Sequence, residues 1–236
     1  MLTRSMLEAE YRAQCEAFAR SPAFQKLEEG SAGRQDYDAF IAGVCRTHLK
    51  SPQILAFLYS VAPPMVAGQI KHNMLEELGL DDAGVSHPAL LMRLVELAGF
   101  SPKTRRALEA EAQDNLRRMC TDPILYGTFK EVGLGVLIEV TCFEWMLSRL
   151  ASRIARFLRT HRQLSDESLQ WFSHHSEVDL RHADEGLDAV VEYLHYYEFD
   201  DFAATSILEI TFRENPFLKR YFAEHLLAET KALVAA

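Results

Sequence analysis

The sequence predicts an all-α protein, and three observations support this fold class. The chain has 236 residues, of which 48% are hydrophobic and 25% are charged, as in a globular protein with a sizeable core. Its 11 glycines and 8 prolines are few, which favours long helices over many short strands. Apolar residues recur at intervals of three and four, and no stretch alternates as a half-buried strand does. We therefore expect a single helical domain over residues 1–236, with about seven to eight helices.

The first two helices follow from this periodicity and from one proline. The first helix carries four apolar side chains on one face, Leu7, Tyr11, Cys15 and Phe18. The second spans residues 36–62, where Pro52 predicts a break near Lys50, because proline cannot continue the helical hydrogen-bond ladder.

Glycine and proline mark the ends of the next two helices. Residues 66–78 form the third predicted helix, and Gly79 stops it, since glycine readily takes the left-handed conformation of a helix end. Residues 80–86 are predicted to form a loop. His87, with a proline directly after it, opens the fourth helix.

Capping residues mark the helices of the second half. A Ser-Pro or Asp-Pro pair starts a helix at two places, because the first residue caps the helix and proline fits its first turn. The predicted helices are 103–119 after Ser101-Pro102, a long helix from Asp122-Pro123 to about Arg159, one from Asp166 to about Tyr196, and a last pair from Asp200 or Asp201 that is split at Asn215-Pro216.

Charge, cysteines and hydropathy exclude several classes of protein. The 34 acidic and 25 basic residues give a net charge of −9, which argues against binding to nucleic-acid phosphates. The most apolar run, residues 133–140, is far shorter than a membrane span, and residues 1–20 lack the apolar core of a signal peptide. The four cysteines are widely spaced without a Cys-x-x-Cys pair. We therefore expect a reduced cytoplasmic protein that binds neither nucleic acid nor membrane.

One helix in the second half carries residues that suit a metal ion. His175, Asp179 and His182 are spaced so that they fall within roughly a 60° arc of one helix face. Two imidazoles and a carboxylate can bind a transition metal, and they suit iron in an oxygen-using site better than magnesium or calcium. The alternative interpretation is a solvated helix face on which histidines cluster by chance.

A metal site also needs ligands from other helices. Glu144 lies in an otherwise apolar part of the long helix, and Glu139 in the same stretch faces another side. Two adjacent glutamates at 76–77 close the third helix, and normally only one of two neighbours can face inward. His87 follows them after a loop, and His72 is a substitute ligand, although a surface position is the simpler interpretation of His72.

Three motifs in the same order resemble the heme-oxygenase-like diiron oxidases and oxygenases. Residues 76–79 and 87–90 read E-E-L-G and H-P-A-L, which is similar to the E-E-x-G … H-P-x-L element of that superfamily. Residues 175–182 resemble its C-terminal ligand triplet. The Phe-Glu pair at 143–144 resembles its glutamate on the preceding helix, in an apolar and aromatic context.

The resemblance implies a fold of seven or eight helices, two Fe(II) ions and O₂ as cosubstrate. The ligands that it implies are Glu76, His87, Glu144, His175, Asp179 and His182. Glu144 is then the bridging carboxylate, and the same ligand types also serve a manganese–iron pair. The implied activity is oxidation or oxygenation of a small, partly apolar metabolite such as a fatty acid, an amino acid or an aromatic acid. The resemblance also implies a homodimer and leaves room for an external electron donor.

Two other functions are alternatives to diiron chemistry. Metal-free chemistry on the same fold is the first alternative, since Cys142-Phe143 is similar to the cysteine–aromatic pair of thiaminase-II-like hydrolases and pyrroloquinoline-quinone-synthase-like proteins are cofactorless oxidases. A non-catalytic binding or scaffold protein is the second, but it has no use for six ligands on four helices.

Six residues are candidates for lining a substrate pocket, with ordinary core packing as the alternative interpretation. They are Leu137, Thr141, Trp145, Phe202, Phe212 and Phe217.

Overall fold

The computed structural model describes residues 2–81, 84–121 and 127–222, without the side chains of residues 118–121 and 177–180. Within these ranges the chain forms eleven helices and no strand, which confirms the all-α fold and exceeds the expected number of helices. The helices are α1 Arg4–Arg20, α2 Pro22–Glu28, α3 Arg34–His48, α4 Ser51–Val61, α5 Pro64–Leu78, α6 His87–Leu97, α7 Pro102–Thr121, α8 Phe129–His161, α9 Gln170–Tyr196, α10 Asp201–Thr211 and α11 Pro216–Tyr221.

Helix α2 is an element that the sequence prediction missed. Ser21 ends α1 and caps α2, accepting a hydrogen bond from the backbone N–H of Phe24, and Pro22 occupies the first turn. This is the same Ser-Pro signature that correctly predicted the start of α7. Phe24 and Leu27 anchor the short helix in the core, since both side chains are fully buried.

The predicted break near Lys50 and the predicted stop at Gly79 are both confirmed. Helix α3 ends before Lys50, and α4 begins directly after it with Pro52 in its first turn. Gly79 ends α5 in the left-handed conformation at φ 69°. A Cβ atom on Gly79 would lie less than 3.0 Å from the backbone of Ser86, so the chain returns close to α5 just before His87. Only glycine fits this approach, which brings the start of α6 beside the end of α5.

Two predicted helix starts differ from the structure. The long helix α8 begins at Phe129, where Thr128 and Glu131 form a reciprocal capping box. The predicted cap Asp122 lies outside the described residues. Helix α9 begins at Gln170 instead of Asp166, because the intervening residues form turns, and it ends at Tyr196 as predicted.

Helices α8 and α9 form the most extensive helix–helix contact in the described residues. They are the longest helices, with 33 and 27 residues, and both present fully buried side chains such as Ile138 and Phe172. The hydroxyl of Tyr11 on α1 donates a hydrogen bond to the main-chain carbonyl of Ile138 on α8. The residues that suit a metal on α8 and α9 therefore lie on a rigid central pair. No helix of the described ranges is long and apolar enough to cross a membrane.

Helix α11 packs on α3 at a glycine. A Cβ atom on Gly43 would lie less than 3.0 Å from the main-chain carbonyl of Tyr221, a distance that real Cβ atoms do not tolerate. The backbones of α3 and α11 are therefore in direct contact at this point. The contact holds the fully buried Tyr221 side chain in place.

We expect Gly43→Ala to lower the free energy of unfolding by about 1–3 kcal/mol, because the methyl group meets backbone that has little room to move. The matched control is Gly68→Ala in α5, where an added Cβ meets nothing within 4 Å. Alanine there should raise the free energy of unfolding by up to about 1 kcal/mol through helix propensity. Urea unfolding of both variants measures the two effects, and equal stability of the two would contradict the close packing of α3 and α11.

Candidate metal centre

Three buried side chains from three helices converge beside the centre of the bundle. Glu77 comes from the end of α5, His87 from the start of α6 and His175 from α9; together they are the Glu77 cluster. Oε1 of Glu77 lies 2.9 Å from Nδ1 of His87 and 3.8 Å from Nε2 of His175. One ligand atom from each of the three residues lies within 4.8 Å of the others. A single transition-metal ion can join atoms at this spacing.

The two histidines of the Glu77 cluster differ in the hydrogen bonds that their rings make. His87 is 2% exposed, and neither ring nitrogen makes a hydrogen bond of good geometry within the described part of the chain. A buried polar atom without a hydrogen-bond partner lowers the free energy of unfolding by about 1–3 kcal/mol. An ion bound to His87 would therefore stabilise the fold. Nδ1 of His175 donates to the carbonyl of Trp171 at 2.7 Å. This bond fixes the ring tautomer and turns Nε2 toward Glu77, as the outer hydrogen bond of a metal-binding histidine does.

Glu77 is ionised despite its burial. Burial alone would raise the pKa of Glu77, but the contacts with His175 and His87 outweigh it and lower the pKa below its usual range. The hydroxyl of Ser51 also donates to Oε2 of Glu77. The carboxylate of Glu77 is therefore in its negatively charged form, which is the form that binds a cation.

A second group of charged side chains lies around Glu76. Oε2 of Glu76 accepts a hydrogen bond from Nε2 of His182 at 2.7 Å, and Oε1 accepts one from Arg181 at 2.8 Å. We call Glu76, His182 and Arg181 the Glu76 cluster. His72 lies at its edge, 3.5 Å from Oε1 of Glu76 and with 54% of its side chain exposed. Burial raises the pKa of Glu76 and the contacts with His182 and Arg181 outweigh it, so the net shift is downward. The side chain of Asp179 lies outside the described residues.

Glu144 shares cavity walls with residues of both clusters. It borders a large cavity together with Glu77 and His175, and a small cavity together with His182. One carboxylate oxygen of Glu144 accepts a hydrogen bond from the side-chain amide of Asn73 at 2.6 Å. Glu144 is thus a carboxylate of the central helix α8 that borders both cavities.

The two adjacent glutamates do not divide into one inward and one outward residue. The side chains of Glu76 and Glu77 are 14% and 12% exposed, and they point to different clusters. Both fit because the end of α5 lies between α6 and α9, so two sides of the helix face protein. The structure brings His87 and His175 together around Glu77, which the sequence-derived ligand set leaves out. The signal for Glu77 was the glutamate pair itself.

Glu139, the alternative to Glu144, also borders the large cavity, but its carboxylate forms an ion pair with Arg220. Arg220 donates to Oε1 of Glu139 at 2.7 Å, and the two side chains are 38% and 28% exposed. Burial raises the pKa of Glu139, but the charge and hydrogen bond of Arg220 outweigh it and lower the pKa. The same pair raises the pKa of Arg220. Glu139 is thus neutralised by a partner of its own.

A cavity of about 760 Å³ opens beside the Glu77 cluster. This volume suits a small-molecule ligand, for which pockets of about 300–1,000 Å³ are typical. Its apolar wall includes the larger side chains of Ile54, Leu55, Leu116, Val136, Val140, Phe143 and Leu147. Four cationic residues also border it, Arg46, Lys50, Lys219 and Arg220. Lys50 forms no ion pair with any residue that the structure describes.

The expected pocket residues are mostly wrong. Leu137 and Thr141 border only the small cavity, and Trp145, Phe212 and Phe217 border neither of the two cavities. Phe202 is 83% exposed. The rotation of α8 about its own axis explains the difference. The face of α8 that lines the large cavity carries Val136, Val140, Phe143 and Leu147, at intervals of three and four.

Cys142 does not have the surroundings of a nucleophile. Its side chain is fully buried and borders neither cavity. Burial raises the pKa of the Cys142 thiol well above its usual value, so the reactive thiolate is disfavoured. The thiaminase-II-like alternative therefore lacks an accessible nucleophile at the position that suggested it.

Comparison with solved structures identifies the fold, and comparison with protein families identifies the family. The chain is similar to a domain of unknown function with a heme-oxygenase-like fold from Shewanella denitrificans OS217, with a TM-score of 0.62 and 15% identity over 97% of this chain and 96% of that one. The chain belongs to the iron-containing redox enzyme family, whose profile matches residues 38–206. Comparison with curated proteins gives no match. The expected resemblance is thus confirmed, and the chain is assigned to an iron-dependent oxidoreductase family.

The Glu139–Arg220 pair predicts a pH-dependent contribution to stability. A carboxylate whose folded pKa is lowered stabilises the fold fully above its unfolded pKa, and this stabilisation is lost as the pH falls through the folded pKa. We expect Glu139→Gln to cost about 1 kcal/mol at neutral pH, a modest value because both side chains are partly exposed. The cost should shrink as the pH falls below about 4, where the wild-type carboxyl also becomes neutral.

Urea unfolding at several pH values measures this difference, with Glu111→Gln as the control. Glu111 pairs with Arg46 at 3.2 Å but is 51% exposed, so its loss should change the free energy of unfolding by less than about 0.5 kcal/mol. A Glu139→Gln effect that stays constant from neutral to acidic pH would show that the ion pair does not stabilise the fold.

Proposed function

We propose that the protein is an O₂-dependent non-heme diiron oxidase or oxygenase. The observation that carries the proposal is the buried Glu77 cluster, with its unsatisfied His87 ring, at the wall of a cavity of small-molecule size. Membership of the iron-containing redox enzyme family supports iron as the metal. The donor set supports it as well, because mixed imidazole and carboxylate ligands suit iron better than calcium or magnesium.

In this proposal each cluster holds one iron. Glu77, His87 and His175 bind the first ion. Glu76 and His182 bind the second, together with Asp179, which the family resemblance assigns to the same helix face. Glu144 is the carboxylate shared between them, since it borders a cavity with each cluster. Arg181 supplies positive charge to Glu76 in the metal-free protein and so limits the repulsion between the buried carboxylates.

The protein residues around the site bind the substrate and exclude water. When bound, the two irons supply the electrons that reduce O₂ and the oxidising power that acts on the substrate. The apolar wall of the large cavity keeps bulk water from the reacting group. Lys50, a cavity cation without an ion-pair partner in the described ranges, suits a negatively charged substrate group. We therefore propose a small, partly apolar carboxylic acid as the substrate class.

The ligand assignment predicts how iron binding responds to single substitutions. Anaerobic titration with Fe(II), followed by metal quantitation, should give two irons per chain for the wild type. Glu77→Gln should lose the iron held with His87 and His175, whereas Glu144→Gln should weaken both sites. Fe(II) at about a hundred times its dissociation constant should stabilise the wild-type fold by about 2.7 kcal/mol for each site that it occupies.

The matched control for iron binding is Glu111→Gln, which removes a carboxylate at the far side of the large cavity and should leave the iron content unchanged. Full iron content in Glu77→Gln would contradict the assignment of the first site. Full iron content in both His182→Ala and Glu76→Gln would contradict the second site.

The proposed activity predicts a reaction of the loaded protein with O₂. Mixing the Fe(II) protein with O₂ should produce a new near-ultraviolet or visible absorption band and consume O₂, and the metal-free protein should do neither. Cys142→Ala should behave as the wild type, because the thiol is buried away from both cavities. Loss of O₂ consumption in Cys142→Ala at unchanged iron content would favour cysteine-dependent chemistry instead.

A further inference from the structure

A row of buried and half-buried rings leads away from the Glu77 cluster. The ring of Trp171 lies against that of His175, with centroids 4.1 Å apart and an interplanar angle of 39°. The ring of His48 follows, 5.0 Å from Trp171. Nε2 of His48 and the hydroxyl of Tyr221 are 2.6 Å apart, which is a short hydrogen bond. The row thus connects a proposed metal ligand on α9 with α3 and α11.

We propose that Trp171, His48 and Tyr221 form a one-electron relay that ends in a redox-active tyrosine. The relay rests on the proposed function, since it requires an oxidised iron at the Glu77 cluster. It gives the site an electron donor inside the protein, at Tyr221, in addition to any external donor.

The hydrogen bond of Tyr221 differs from those of the other buried tyrosines. Tyr11, Tyr37 and Tyr193 each donate to a main-chain carbonyl, which cannot take up a proton. Tyr221 is paired with an imidazole, which can. Oxidation of a phenol at neutral pH requires that its proton leave with the electron, so only Tyr221 of these four has an acceptor in place.

His48 is available as that proton acceptor. A neutral imidazole ring carries one acceptor nitrogen, and Nε2 of His48 lies 2.6 Å from the hydroxyl of Tyr221. With the hydroxyl of Tyr221 as donor, that acceptor is Nε2. Tyr221 and Trp171 are each 1% exposed, so a radical on either ring is shielded from solvent and from external reductants.

The relay step is balanced as a proton-coupled electron transfer. Tyr221 would lose one electron, which would pass through the Trp171 ring to the metal site at the Glu77 cluster, where iron oxidised by O₂ would take it up. The phenolic O–H bond breaks, and its proton forms an N–H bond at Nε2 of His48. The products are a neutral phenoxyl radical and an imidazolium, and the total charge of the protein and metal is unchanged.

The close packing of α3 and α11 supports this role by fixing the donor. Gly43 on α3 lets the backbone of Tyr221 approach directly, and Phe40 packs against the Tyr221 ring at 5.5 Å. His48 lies on the same helix α3, five residues after Gly43. The hydrogen bond between His48 and Tyr221 is therefore held between two backbones in contact.

The test is electron paramagnetic resonance of the Fe(II)-loaded protein after mixing with O₂ in the absence of substrate. We expect an organic radical signal that narrows when the protein is made with ring-deuterated tyrosine. Tyr221→Phe keeps the ring packing and removes the hydroxyl, so it should lose the signal at unchanged iron content. Tyr37→Phe, a buried tyrosine remote from the row, should keep the signal.

Two further variants test the path. Trp171→Phe should slow or abolish radical formation, and His48→Gln should abolish it, because an amide accepts a hydrogen bond but not the proton. Absence of a tyrosyl signal in the wild type, or its survival in Tyr221→Phe, overturns the relay while leaving the diiron function intact. Normal formation in Trp171→Phe overturns the path through that ring. Iron quantitation on the same samples separates the failures, because a wild type that binds no iron overturns both proposals.

Discussion

The burial of several carboxylates in a helical core is the constraint on which the rest of the structure depends. A buried carboxylate without a partner is costly, and several close together also repel one another. Each of these carboxylates contacts different polar or charged side chains. Glu77 lies between two imidazoles, Glu76 between an imidazole and a guanidinium, Glu144 beside an amide, and Glu139 beside Arg220. In the described part of the chain, the buried polar atoms without a hydrogen-bond partner are the two ring nitrogens of His87 and Nε of Arg105, and a cation at the Glu77 cluster would satisfy His87.

The fold supplies this arrangement through a few backbone features. The left-handed Gly79 turns the chain so that the start of α6 returns to the end of α5, which places His87 beside Glu77. The long contact between α8 and α9 holds Glu144 and His175 on one rigid unit. Side chains on paired helices keep their geometry better than side chains on loops, which suits a site that must hold a metal ion in a fixed ligand geometry.

The sequence predicted the parts of the molecule that depend on local chemistry. Proline at 52 and glycine at 79 act through their own backbone preferences, so their helix breaks were predictable. The buried histidines of α9, His175 and His182, were found because their spacing marks one helix face. The cavity wall and the role of Glu77 were missed, since both depend on how a helix is rotated against its neighbours. At the end of α5 two sides of the helix face protein, which the sequence does not reveal.

We propose that the Glu77 cluster and the Glu76 cluster each hold one iron, with Glu144 shared between them. Crystals of the anaerobically Fe(II)-loaded protein, measured at the iron absorption edge, show directly where iron binds. Two anomalous peaks are expected, one within the Glu77 cluster and one beside Glu76 and His182, both within coordination distance of Glu144. A single peak, or iron bound away from these residues, would contradict the proposal.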